Sequence, residues 1–92
     1  MYIVYVIQHS NIRQIYIGKT SNLRRRLEAH NTNRQKATHR RGGTWILVYA
    51  EAYRSKTDAA KRESRLKHHG SSKHELLKRI SSKLFEVKSE AG

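Results

Sequence analysis

The run YIVYVI at residues 2–7 constrains the fold more than any other stretch. It is β-branched and aromatic, so it reads as a strand, and both of its alternating sets are apolar, so both faces must be covered. In 92 residues such a strand must sit inside a compact core that leaves little apolar material to spare. Ser10 and Asn11 supply turn residues, and QIYIG at 14–18 reads as a second strand, which makes an antiparallel hairpin. Alternation puts Ile3, Tyr5 and Ile7 on one face of the first strand and Ile15 and Ile17 on one face of the second; which tyrosine looks inward depends on the register.

Helical stripes fill the gaps between strands. Thr20, Ser21 or Asn22 can cap a helix whose buried positions are Leu23 and Leu27, four residues apart. NTNRQKATHRRGG at 31–43 has no apolar period and reads as a long basic loop, and TWILVYAEAY at 44–53 as a third strand. Ser55 followed by Asp58 has capping-box spacing and predicts a helix from about Thr57 to His69, stopped by Gly70. Ser72 followed by Glu75 predicts a further helix with the stripe Leu76, Leu77, Ile80 and Leu84. The expected class is therefore α/β (α+β): one small domain over 1–84, a three-stranded, mainly antiparallel sheet flanked by helices in the order β-β-α-β-α-α. A polar tail, 85–92, is expected to fray.

Charge narrows the partner. Twenty Lys and Arg against seven Asp and Glu give +13, a balance that attracts polyanions, nucleic acid above all. Between Lys19 and Arg41 there are eight basic side chains and a single acid, Glu28. A membrane surface fits less well, because this segment lacks the bulky apolar face of interfacial helices. The chain has no cysteine, which excludes disulfides, thiolate zinc sites and a cysteine nucleophile. MYIVYVIQHS is too short and polar-flanked for a signal peptide, and no apolar run reaches the length of a membrane span. The expected location is cytoplasmic or nucleoid-associated.

Several side chains fit packing less well than chemistry. Glu63 follows Ala59 by four residues and precedes Leu66 by three, so a carboxylate falls on an apolar stripe, where it needs a cation or a partner. Arg26 and His30 share a helix face at i,i+4 spacing; Arg26 can offer a planar fork to a phosphate. Tyr5 and Tyr16 lie on neighbouring strands, and by composition alone two core aromatics would explain them. Gly18, at a strand end, permits close approach.

Taken in order, Tyr5, Tyr16-Ile17-Gly18, Arg26, His30 and Glu63 resemble the GIY-YIG nuclease superfamily, from Ile3 to about Ile80. The segments YIGKT, RRRLEAHN, WILVYAEAY and AAKRESRLK fall where that group has its recurring segments. The chain is most similar to short stand-alone members, which also resemble the amino-terminal nuclease domain of UvrC. Two positions depart from the pattern. The first motif reads Ile3-Val4-Tyr5, without its glycine, and Lys73, His74 and Glu75 stand where several members have an asparagine.

The resemblance implies a metal-dependent endonuclease hydrolysing DNA phosphodiester bonds. Glu63 would bind one Mg²⁺ or Mn²⁺, and Tyr5, with Tyr16 beside it, would activate or position the attacking water. Arg26, Lys19 and the metal would favour phenolate at Tyr5, and His30 would relay a proton to it or orient it. Lys19, Arg24, Arg25, Arg34, Lys36, Arg40, Arg41, Lys67 and Lys73 are the expected nucleic-acid contacts. No separate targeting segment is visible, so substrate choice by DNA structure or by a protein partner, in repair or recombination, is expected. The alternatives are a non-catalytic nucleic-acid-binding module on the same fold and a ribosome-associated or RNA-binding basic protein; the latter explains the charge but not Glu63.

Overall fold

The computed structural model describes residues 1–32, 38 and 42–83. The element order is β1 (Tyr2–His9), β2 (Ile15–Thr20), α1 (Leu23–Asn31), β3 (Trp45–Tyr53), α2 (Lys56–His68) and α3 (Gly70–Arg79), followed by a short 3₁₀ turn over Ser81–Lys83. Both pairings are antiparallel, and β1 lies in the middle of the order β2-β1-β3. This is the predicted architecture. A central position between two strands and two helical layers explains why Val4 to His9 are buried without interruption.

The pleat divides the core in two. Val4, Val6 and Ile17 face α2 and α3, packing with Ala59, Leu66, Leu76 and Ile80. Tyr5, Ile7 and Trp45 face α1 and pack with Ile3, Tyr16, Leu23 and Leu27. A bulge in β3 opposite Val6 and Ile7 switches the phase of that strand. Trp45 and Leu47 consequently accompany the Tyr5 face, whereas Tyr49, Glu51 and Tyr53 pair in register with Val6, Val4 and Tyr2 on the other.

Helix ends follow the predicted caps in two of three cases. Asn22 accepts from the Arg25 amide at 3.0 Å and Ser55 from the Asp58 amide at 3.2 Å. The third case is a correction. Gly70 does not stop a helix in a left-handed turn; it is the first residue of α3, directly after the shared cap His69, which makes no side-chain capping bond. Ser72 and Glu75 therefore lie inside α3 and do not open it. Tertiary packing of Leu76 sets that helix, in place of a local box. Leu84, the last position of the predicted stripe, and the predicted tail, 85–92, fall outside the described residues.

Glu51 organises the α2 face. Arg62 grips it with two bonds, Nε to Oε1 at 2.8 Å and Nη2 to Oε2 at 3.0 Å, while Tyr49 and Tyr53 donate at 2.7 and 2.9 Å. Burial acts to raise the Glu51 pKa, but the three donors outweigh it and hold the carboxyl below its ordinary range. A depressed carboxyl stabilises the fold above its unfolded pKa, and that stability is lost as pH falls through the folded value. We expect Glu51→Gln to cost about 1–3 kcal/mol at neutral pH, because Arg62 loses its counter-charge. Thermal melts should show the gap between variant and native narrowing in acid.

Candidate active site

On the α1 face, Tyr5 of β1 stands opposite Gly18 of β2. The ring lies across the glycine: a Cβ at residue 18 would overlap the Tyr5 ring and hydroxyl. Gly18 thus makes room for one tyrosine. Leu23 and Leu27 seat α1 on this same face, and the helical repeat carries Arg26 and His30 over Tyr5. His30 and Tyr5 are each 1% exposed, with Tyr5 Oη and His30 Nε2 2.7 Å apart. The Tyr16 ring meets the His30 imidazole edge-on at 5.2 Å.

The far end of His30 is held as firmly. Its Nδ1 lies 2.6 Å from Oγ1 of Thr38, a fully buried residue. The Thr38 carbonyl accepts from Trp45 Nε1 at 2.9 Å. Asn31 clamps the Trp45 backbone from both sides, accepting from its amide at 2.7 Å and donating to its carbonyl at 3.1 Å. The end of α1 and the start of β3 are joined there, around the imidazole.

α2 completes the cluster. Lys67 Nζ sits 5.2 Å above the Tyr16 ring and 3.4 Å from Glu63 Oε2, one helical turn earlier. The charges that act on Tyr5 are those of Tyr16, Arg26 and Glu63. Burial pushes the Tyr5 hydroxyl well above the usual phenol range; Tyr16 and Glu63 push the same way, and Arg26 only partly opposes them. Burial, and then Arg26, lower His30. At neutral pH both partners are therefore uncharged. The expected cationic surroundings that would favour phenolate are outweighed by burial. Lys19 alternates with Tyr16 and Gly18 and so sits with Ile15 and Ile17 on the opposite face of β2.

Tyr5, Tyr16, Gly18, Arg26, His30, Glu63 and Lys67 thus come together. Arg24 and Arg25 are exposed on α1. Lys73 is exposed on α3, a helix that packs against the other face of the sheet. Arg34, Lys36, Arg40 and Arg41 lie outside the described residues. Among the described residues no three carboxylates or imidazoles gather around one point. Glu63 offers a single carboxylate, 22% exposed, whose ion pair runs to a lysine 37% exposed and able to swing away. Such a donor suits a hard cation that completes its shell with water and phosphate oxygens.

The family model of the GIY-YIG catalytic domain matches residues 1–79. The chain belongs to the GIY-YIG family. The matched span contains every member of the cluster, with Tyr16-Ile17-Gly18 as the second motif. At the first motif, Ile3 stands where the glycine is absent and packs beside Tyr5, Ile7 and Trp45. UPF0213 protein DP2720 of Desulfotalea psychrophila is 32% identical over 85 residues, covering 91% of this chain and 76% of the relative. The solution NMR structure of UPF0213 protein BH0048 from Bacillus halodurans superposes with a TM-score of 0.51 at 28% identity, over 87% of this chain and 85% of the other. Membership of a nuclease-domain family makes nucleic acid the substrate class. No helix among the described residues is long and apolar enough to cross a membrane.

Sequence reasoning missed Thr38, the Asn31 clamp and the stacking of Lys67 on Tyr16. Thr38 carries no signal in an aperiodic stretch; Lys67, expected only as a nucleic-acid contact, could have been paired with Glu63 from their i,i+4 spacing.

Proposed function

We propose that this GIY-YIG protein is a metal-dependent endonuclease that hydrolyses DNA phosphodiester bonds, on substrates selected by DNA structure or by a protein partner in repair or recombination. The observation that carries the reading is the buried hydrogen bond between Tyr5 Oη and His30 Nε2, beside Arg26 and Glu63. Packing alone has no need of a tyrosine whose hydroxyl is kept neutral against an equally neutral imidazole.

Tyr5 passes its proton to His30 Nε2 while accepting one from the attacking water. The water oxygen bonds to phosphorus as the bond from phosphorus to the leaving oxygen breaks. The leaving oxygen takes up a proton from solvent, and His30 releases its own through Tyr5 to solvent, so the site ends as it began. Arg26 sets its guanidinium against the negative charge that builds on the phosphoryl oxygens. Glu63 would hold one Mg²⁺ or Mn²⁺, which when bound adds positive charge at the reacting phosphate. Lys67, Arg24 and Arg25 would contact the backbone, giving salt-dependent binding with little base readout.

The test is incubation of the native chain with supercoiled plasmid and with branched duplexes, with Mg²⁺ or Mn²⁺ and with chelator. Nicks should appear only with the metal. Binding with no cutting under any of these conditions would leave the chain a non-catalytic nucleic-acid-binding module.

A further inference from the structure

We infer that Thr38 is a positioning residue: its hydroxyl accepts a hydrogen bond from His30 Nδ1–H and so leaves Nε2 bare toward Tyr5. Donor and acceptor matching requires this arrangement. Tyr5 Oη is buried and among the described residues bonds to His30 Nε2. A neutral phenol carries one O–H, and a buried O–H must have an acceptor. Tyr5 therefore donates to Nε2, which must carry no proton. A neutral imidazole then has its single proton on Nδ1, and that atom faces Thr38 Oγ1 at 2.6 Å. The opposite tautomer would place Nε2–H against the Tyr5 oxygen and leave the phenolic proton with no protein acceptor among the described residues. Burial keeps both Tyr5 and His30 neutral, and Arg26 lowers His30 further.

Thr38 is built for this duty. Its side chain is fully buried, and its carbonyl is fixed by the Trp45 indole, itself clamped through Asn31. The hydroxyl is thereby held in place by β3 and the end of α1. A partner on the remote nitrogen commonly sets which imidazole nitrogen carries the proton. The consequence for cleavage rests on the nuclease reading, but the tautomer does not.

The experiment is nitrogen NMR of histidine-labelled full-length protein, without metal or DNA, with the His30 signals identified by their loss in His30→Gln. The native protein should show a protonated Nδ1 and a bare Nε2 at His30. Thr38→Val should move the proton to Nε2, and Thr38→Ser should retain the native pattern. Cleavage should fall about 10–100-fold in Thr38→Val and stay near native in Thr38→Ser. A native spectrum with the proton on Nε2 overturns the inference even if the valine variant does not fold. An unchanged tautomer in folded Thr38→Val overturns it equally. Native protein with the expected tautomer but no cleavage under any condition removes the nuclease reading and leaves the assignment of Thr38 standing.

Discussion

Glu63→Ala should give a folded protein that binds DNA and no longer cuts it. Its ion pair to Lys67, 3.4 Å away on the next helical turn, is of the partly exposed kind worth about 0.3–0.5 kcal/mol. Thermal melts should therefore shift little. Removing a negative charge and releasing Lys67 should leave affinity for a polyanion unchanged or slightly higher at fixed salt. Cleavage depends on the carboxylate in a different way, because Glu63 is the acid that the fold brings to the Tyr5–His30 pair. Loss of the group that anchors positive charge at a reacting phosphate should lower the rate by at least about 100-fold, or ~2.7 kcal/mol of transition-state stabilisation. Melting temperature, DNA affinity and nicking rate, measured on one preparation, separate these effects.

Tyr5→Phe should be nearly as damaging to cleavage, with a different effect on stability. The phenyl ring can still lie across Gly18, so the packing of β1 on β2 survives. What is lost is the partner of a buried imidazole nitrogen, at a cost of about 1–2 kcal/mol. For a domain of this size that is a fall in melting temperature of roughly 4–16 °C. If Tyr5 moves the proton of the attacking water, its removal should slow cleavage by about 10²–10⁴-fold. Tyr16→Phe should cost less, since the Tyr16 ring still meets His30 and Lys67 edge and face. Native-rate cutting by Tyr5→Phe alongside an inactive Tyr16→Phe would reverse the two roles.

The sheet could be read in the sequence because its cause is local. YIVYVI has apolar residues in both phases and can only be a central strand, and Leu23/Leu27 and Leu76/Ile80 mark the helices that cover it. Glu63 was legible for the same reason: a carboxylate on the Ala59–Leu66 stripe is a visible exception to a periodic pattern. The rest depends on register or on distant contacts. The β3 bulge that turns Trp45 toward α1 and Glu51 toward α2 leaves no mark in WILVYAEAY. Lys19 is expected among the cations that favour phenolate at Tyr5, yet adjacent strand residues point to opposite faces and it lies across the sheet from Gly18. Gly70 resembled a stop signal, but the chain re-enters a helix there because Leu76 and Ile80 have a core to fill. Thr38 lies in a stretch without period, and its importance emerges only when its hydroxyl is found against His30.

The most direct measurement is a time course of plasmid and branched-DNA nicking by native protein, Glu63→Ala and Arg26→Ala, with Mg²⁺ or Mn²⁺ and at equal DNA occupancy. The predicted result is metal-dependent nicking by the native chain and loss of at least about 100-fold in both variants. Nicking at the native rate in both variants would contradict the placement of the active site at Tyr5, Arg26, His30 and Glu63.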